Sequence, residues 1–250
     1  MKKKLPLLLF LAGLFSLQLV IHAITLDGSF VTDLELSSAT VTRSFTVGAG
    51  PNRMLAVGFI TRVSSSSTHS SCTFGGVALT KAVEAEEGQF AQAVASIWYL
   101  PAPAVSTADV VCTCSTTAVW GTVGIVALEG VDQVSPLGDT DVETPSMNVS
   151  TLAFNALTTT GANSFVFDAF QSFAGSDWTM DAETNRVQRL LDVSQGDNAG
   201  FSTINPKATA GAVTMQWSFG AGSSDGLLVG AEFTAAASVG QSRSLLQVGR

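Results

Sequence analysis

Histidine and tyrosine are almost missing from this chain: two histidines and one tyrosine occur in 250 residues. His22 closes an apolar N-terminal run, so His69 is the one imidazole left for the body of the protein. A Ser-His-Asp hydrolase would have to be built on His69. That residue lies in the Ser/Thr-rich stretch SSSSTHSSC, read here as a solvated loop. Scarce histidine and the Cys-x-Cys spacing of Cys112 and Cys114 also argue against a zinc knuckle. Basic residues are few as well, with 12 Lys and Arg against 20 Asp and Glu, for a net charge of −8. An acidic surface repels phosphate backbones and anionic lipid heads, so nucleic acid is not an expected partner. Amphipathic helices are lacking too. The best window, Glu84 to Ala95, is interrupted by Gly88 and has no clean apolar stripe. Beyond residue 23 no run is long and apolar enough to span a bilayer.

The one long apolar run stands at the start. Lys2, Lys3 and Lys4 precede Leu5 to Ile21, followed by His22-Ala23, the pattern of a secretory signal peptide. Cleavage is expected after Ala23, and with no cysteine at the cut a lipid anchor is not expected. The protein should therefore be secreted, extracellular or at the cell surface, with no membrane span once residues 1–23 are removed. Loss of the three leader lysines takes the charge from −8 to −11. About 227 residues remain, 13% of the whole chain being charged and 46% hydrophobic, enough to bury a sizeable core.

What is abundant is β-forming sequence. Val, Thr, Phe and Ile recur in short runs punctuated by Gly, Asn, Ser and Pro. RSFTV alternates at period two, GAGPN turns the chain, and RMLAVGFI continues as an apolar run suited to a strand covered on both faces. Paired glycines in CTFGGVALTKAV mark a hairpin, and LPAPAVSTA is a proline-stiffened connection that cannot lie in a central strand. The pattern also repeats. Residues 44–60 are echoed by 156–172, 108–131 by 211–234, and GGVALTKAVEAEEG by NRVQRLLDVSQGDN. The expected fold is all-β, an antiparallel jelly-roll-like sandwich. It spans 24–236 with two similar halves, about 40–132 and 153–234, sharing one core, since each half alone would have a marginal one. Residues 237–250 are expected to be a flexible tail.

FTVGAGPNRMLAVGFI, TFGGVALTKA, IWYLPAPAVSTADVVCT and VALEGVDQVSPLG together resemble a module of secreted bacterial and phage-associated proteins with a jelly-roll, concanavalin-like sandwich. The resemblance covers about residues 40–235. It implies that fold and an extracellular setting, and it carries no catalytic set.

Candidate sites follow from residue chemistry. The odd cysteine count allows one bridge in an oxidising compartment, from Cys72 to either Cys112 or Cys114. The last two point to the same strand face and cannot easily bond each other. In GDTDVET, Asp139, Asp141 and Glu143 alternate, so their carboxylates project to one side and offer oxygens to calcium, the one cofactor considered; the alternative is a hydrated connector. Trp178 and Trp120 border turns and are the aromatics most suited to show a face to a sugar ring, with Asp177 and Asp181 placed to accept its hydroxyls. Glu84, Glu86 and Glu87 have the wrong spacing for a paired-carboxylate glycosidase and read as a solvated charge run. The favoured function is a non-enzymatic structural, adhesion or surface-interaction module with an extracellular protein or glycan partner. A carbohydrate-binding module, assisted by calcium, is the alternative, followed by a carboxylate-type glycoside hydrolase.

Overall fold

The computed structural model describes residues 19–21, 23–87, 92–144, 149–173, 178–192, 198–219 and 225–239. Their regular structure is entirely β, and the chain is an antiparallel sandwich of two similar halves. In the first half an inner sheet has the order β2 (Thr25–Leu36), β10 (Trp120–Glu129), β4 (Met54–Arg62), β8 (Ala93–Pro101), β7 (Thr80–Glu86). An outer sheet covers it, in the order β3 (Thr40–Val47), β9 (Ser106–Cys114), β5 (His69–Phe74), β6 (Val77–Ala78). In the second half the inner sheet runs β11 (Leu137–Glu143), β20 (Gly226–Phe233), β14 (Ser164–Ser172), β17 (Asn198–Lys207), β16 (Arg186–Asp192). Its outer layer is made of β12 (Thr151–Leu152), β19 (Trp217–Phe219) and β15 (Trp178–Met180), with the small pair β13 (Thr158–Thr159) and β18 (Gly211–Ala212). The inner sheets have the same strand order, and the sequence echoes fall on matching elements: β3–β4 on β13–β14, β7 on β16, β10 on β20.

The layering follows from strand periodicity. Successive side chains leave a strand on opposite faces, so a strand covered twice must be apolar throughout. In β4, Met54, Ala56 and Ile60 join a core cluster between the two inner sheets, while Leu55, Val57 and Phe59 join the first half's own core. In β14, Phe165, Phe167 and Ala169 enter the shared cluster, while Val166 and Phe170 enter the second half's core. Each half is therefore itself two-layered, and the halves meet through a third, common core. This is one more level of packing than a single shared sandwich.

The inner sheets interlock at a glycine pair. Gly58 and Gly124 are opposite each other on β4 and β10, and the Phe201 ring of β17 lies on them. A Cβ at Gly58 would come within 2.6 Å of Phe201 Cε1, and one at Gly124 within 2.8 Å of its Cδ2. The echoed turns share another device, a left-handed asparagine just ahead of the inner strand: Asn52 (φ 51°) before β4 and Asn163 (φ 60°) before β14. Asparagine tolerates that region better than most residues.

Cys72 and Cys112 lie opposite each other on β5 and β9 and form a disulfide, while Cys114 keeps a buried free thiol on the same face as Cys112. The first three residues of the segment expected to be a flexible tail are described, as a short strand. Ala237–Val239 (β21) pairs with Leu19–Ile21 (β1), within the segment expected to be the leader. Just ahead of β21, Ala236 N–H donates to the Gly130 carbonyl and Ala235 bridges Val131. Among the described residues no helix is long and apolar enough to cross a membrane.

Candidate functional site

The two tryptophans expected at the surface are both interior. Trp178 on β15 is 1% exposed, packed against Phe170 at 5.0 Å and Phe219 at 5.5 Å between ring centroids. Trp120, at the start of β10, is 3% exposed and belongs to the core shared by the halves. Burying a large aromatic is among the strongest apolar contributions available, so a tryptophan bordering a turn still goes inward when a sheet face needs covering. Asp177 lies outside the described residues. Asp181 accepts hydrogen bonds from Gln216 Nε2 and, at 2.9 Å, from Ser218 Oγ, which tie β15 to β19. With both rings buried, Trp178 and Trp120 show no face to a sugar.

The three alternating carboxylates do project to one side, as their spacing requires. There they meet the backbone of residues 155–158. Glu143 Oε1 accepts from the Asn155 backbone at 3.2 Å. Asp141 Oδ2 accepts from Ala156 N–H at 2.9 Å and Leu157 N–H at 3.1 Å, and Asp139 Oδ2 from Thr158 N–H at 2.7 Å. Glu232 on β20 extends the series, accepting from Thr160, Gly161 and Asp139 N–H and from Ser164 Oγ at 2.6 Å. Burial alone would raise the Glu232 carboxyl pKa, but the donors from Ser164, Thr160, Gly161 and Asp139 outweigh it and hold it below its ordinary value. The segment is thus neither a hydrated connector nor a convergent ligand set: it is a ladder pinning the entry to β14. Among the described residues no three His, Cys, Asp or Glu side chains are grouped to hold a metal ion. The first half repeats the device in smaller form, Asp27 Oδ2 accepting from Gly48 N–H at 2.7 Å ahead of β4.

His69 is the largest departure from the sequence reading. It is 1% exposed, stacked on Phe59 with ring centroids 4.0 Å apart. Trp98 Nε1–H donates to Ser96 Oγ at 2.6 Å, and the same oxygen lies 2.6 Å from His69 Nδ1. The other ring nitrogen, Nε2, lies 2.9 Å from Thr61 Oγ1, so the neutral ring donates at one nitrogen and accepts at the other. Burial pushes this imidazole well below its usual pKa, and the Lys81 ammonium adds to the effect. The glutamates of β7 are organised around the same place rather than solvated. Glu84 accepts from His69 N–H and pairs with Lys81 at 2.7 Å, while Glu86 accepts from Ser67 N–H at 2.8 Å. Glu87 is buried.

The second half has its own polar cluster, which sequence reasoning missed. Asp168 and Arg186 form a fully buried pair at 3.0 Å. The carboxylate also accepts from Ser202 N–H and Oγ and from Trp217 Nε1, and the guanidinium donates to the carbonyls of Met215 and Gln216. Burial pushes Asp168 up, against Arg186, Ser202 and Trp217, which pull it down. A lone aspartate in SFVFDAFQS, between Phe165–Phe167 and Ala169–Phe170, was the one available signal. Among the described residues the surface carries open grooves. One of about 430 Å³ is lined by Phe74, Val77, Leu100, Pro101 and Pro103. Another, of about 350 Å³, lies between β2 and β3 along Asp27, Ser29, Ser44 and Thr46.

Compared with protein-family models, with curated proteins and with solved structures, the chain finds no match.

Proposed function

We propose that this chain is an exported, non-enzymatic β-sandwich module that works through its surface, in a structural, adhesion or surface-interaction role outside the cell. One observation carries the reading. Among the described residues, His69, Asp168, Arg186, Asp139, Asp141, Glu143 and Glu232 each hold a strand or a turn in place through hydrogen bonds. Their polar atoms face protein backbone or each other, an arrangement that builds a rigid scaffold. The basic-then-apolar start, the acidic body and the cross-strand disulfide suit an oxidising exterior. The resemblance to secreted bacterial and phage-associated jelly-roll modules points the same way. An extracellular protein or a glycan is the partner class that fits.

The test has two parts. N-terminal sequencing of chain recovered from the medium should begin at Ile24; a product that keeps residues 1–23 sinks the export reading. The purified chain should then bind intact cells or an arrayed extracellular ligand without releasing reducing sugar from polysaccharides. Sugar release abolished by replacing one acidic residue would make the protein a hydrolase instead.

A further inference from the structure

The Ser-rich segment before β5 is fastened over His69. Ser64, Ser65, Ser66 and Thr68 are exposed, while Ser67 turns inward and places its Oγ 3.0 Å from Cys114 Sγ. Thr61 Oγ1, the partner of His69 Nε2, is 3.8 Å from the same sulfur. The segment is held by Glu86 through Ser66 and Ser67, by Ser115 through Thr68, and by His69 itself at its end. The charged and titratable groups around the imidazole are Lys81 and Glu84 from β7 and Cys114 from β9. From β4 and β8 it meets Phe59, Thr61 and Ser96, none of them charged. Glu84 Oε2 is 4.0 Å from Nδ1 but already bound to Lys81 at 2.7 Å, and Lys81 Nζ also donates to the His69 carbonyl at 2.7 Å. A second proton on the ring would remove its one acceptor and set a buried imidazolium beside the Lys81 ammonium.

We propose that His69 is an acid-operated latch: its protonation releases the 64–69 segment from the first half and uncovers the Cys114 thiol, while the rest of the fold stays closed. The closed ring is neutral and titrates well below an exposed one. The latch is therefore at full strength above about pH 6.5 and weakens as pH falls below that value. An exposed imidazole titrating near 6.5 sets the ceiling for opening at about thirtyfold between pH 7.5 and pH 5.

The experiment follows Cys114 in the purified full chain with 4,4′-dithiodipyridine, a thiol probe that works in acid, each rate being divided by that of free cysteine at the same pH. The normalised rate should rise toward about thirtyfold on going from pH 7.5 to pH 5. It should depend only weakly on urea, because the opening is local. His69→Gln retains a donor and an acceptor but takes no proton, and should flatten the response. Lys81→Met should shrink the response by bringing the closed-state imidazole nearer its ordinary pKa. A flat wild-type profile, an unchanged response in His69→Gln, or a rate that climbs steeply with urea at pH 5 would each overturn the latch.

Discussion

Phe201 and the glycines beneath it show how much one contact can fix. A β-carbon at Gly124 would overlap a ring enclosed between two sheets, where nothing can move aside cheaply. Gly124→Val should therefore cost about 1–3 kcal/mol by overpacking, and Phe201→Ala about 3–5 kcal/mol by leaving a cavity, both read from urea midpoints. The buried Asp168–Arg186 pair makes a different point, because its members stabilise only in company. Arg186→Met leaves an unpaired buried carboxylate and should cost about 3–5 kcal/mol. Asp168 already titrates above its ordinary value, and without Arg186 it rises further. Its neutral form is the one the interior accepts, so the variant should regain stability as pH falls through the Asp168 titration. A variant whose deficit is the same at every pH would show that the charge is not the cause.

Strands, turns and the ladders between them are the next scale. The carboxylate ladder from β11 and β20 fastens residues 155–161, and its pH dependence has a definite sign. Glu232 is held below its ordinary value, so it contributes stability present above the ordinary carboxylate range and lost as pH falls through the folded-state value. Glu232→Gln should lower the melting temperature at neutral pH and remove part of the acid-induced loss. Asp141→Asn should cost about 1–2 kcal/mol through its two backbone donors. Because these oxygens already accept N–H groups along a line, added calcium should leave the melting temperature unmoved. A rise of several degrees that disappears in Asp141→Asn would restore the calcium reading.

For the molecule as a whole, the structural repeat and the common core are inseparable. Residues 24–132 on their own would leave Met54, Ala56, Ile60, Ile97, Val126 and Leu128 uncovered on the inner sheet. Exposed apolar faces of that size drive association. The isolated half should therefore emerge as aggregate on size exclusion, and co-expression with residues 133–250 should recover a one-to-one complex. A monomeric, cooperatively melting half would show that its own core suffices. Ile24 reinforces the dependence: it is buried in the shared cluster, and its N–H donates to the Asn163 carbonyl of the other half.

The sequence by itself determined the β class, the grouping of its runs into two matching halves, the doubly covered run at β4, and the two alternatives for the disulfide. These are local or periodic properties, since alternation, turn residues and the two-residue spacing of Cys112 and Cys114 act within a few positions of the chain. Only the tertiary structure decided what each isolated residue faces. Whether His69 in its serine run meets water or Phe59, whether Trp178 covers a core or displays a ring, and whether Asp139, Asp141 and Glu143 meet a cation or the N–H groups of residues 155–158 all depend on segments about ten to fifty residues away or more. Those partners arrive only when the sheets stack, and burial then converts residues written as polar loop into interior hydrogen-bond sets.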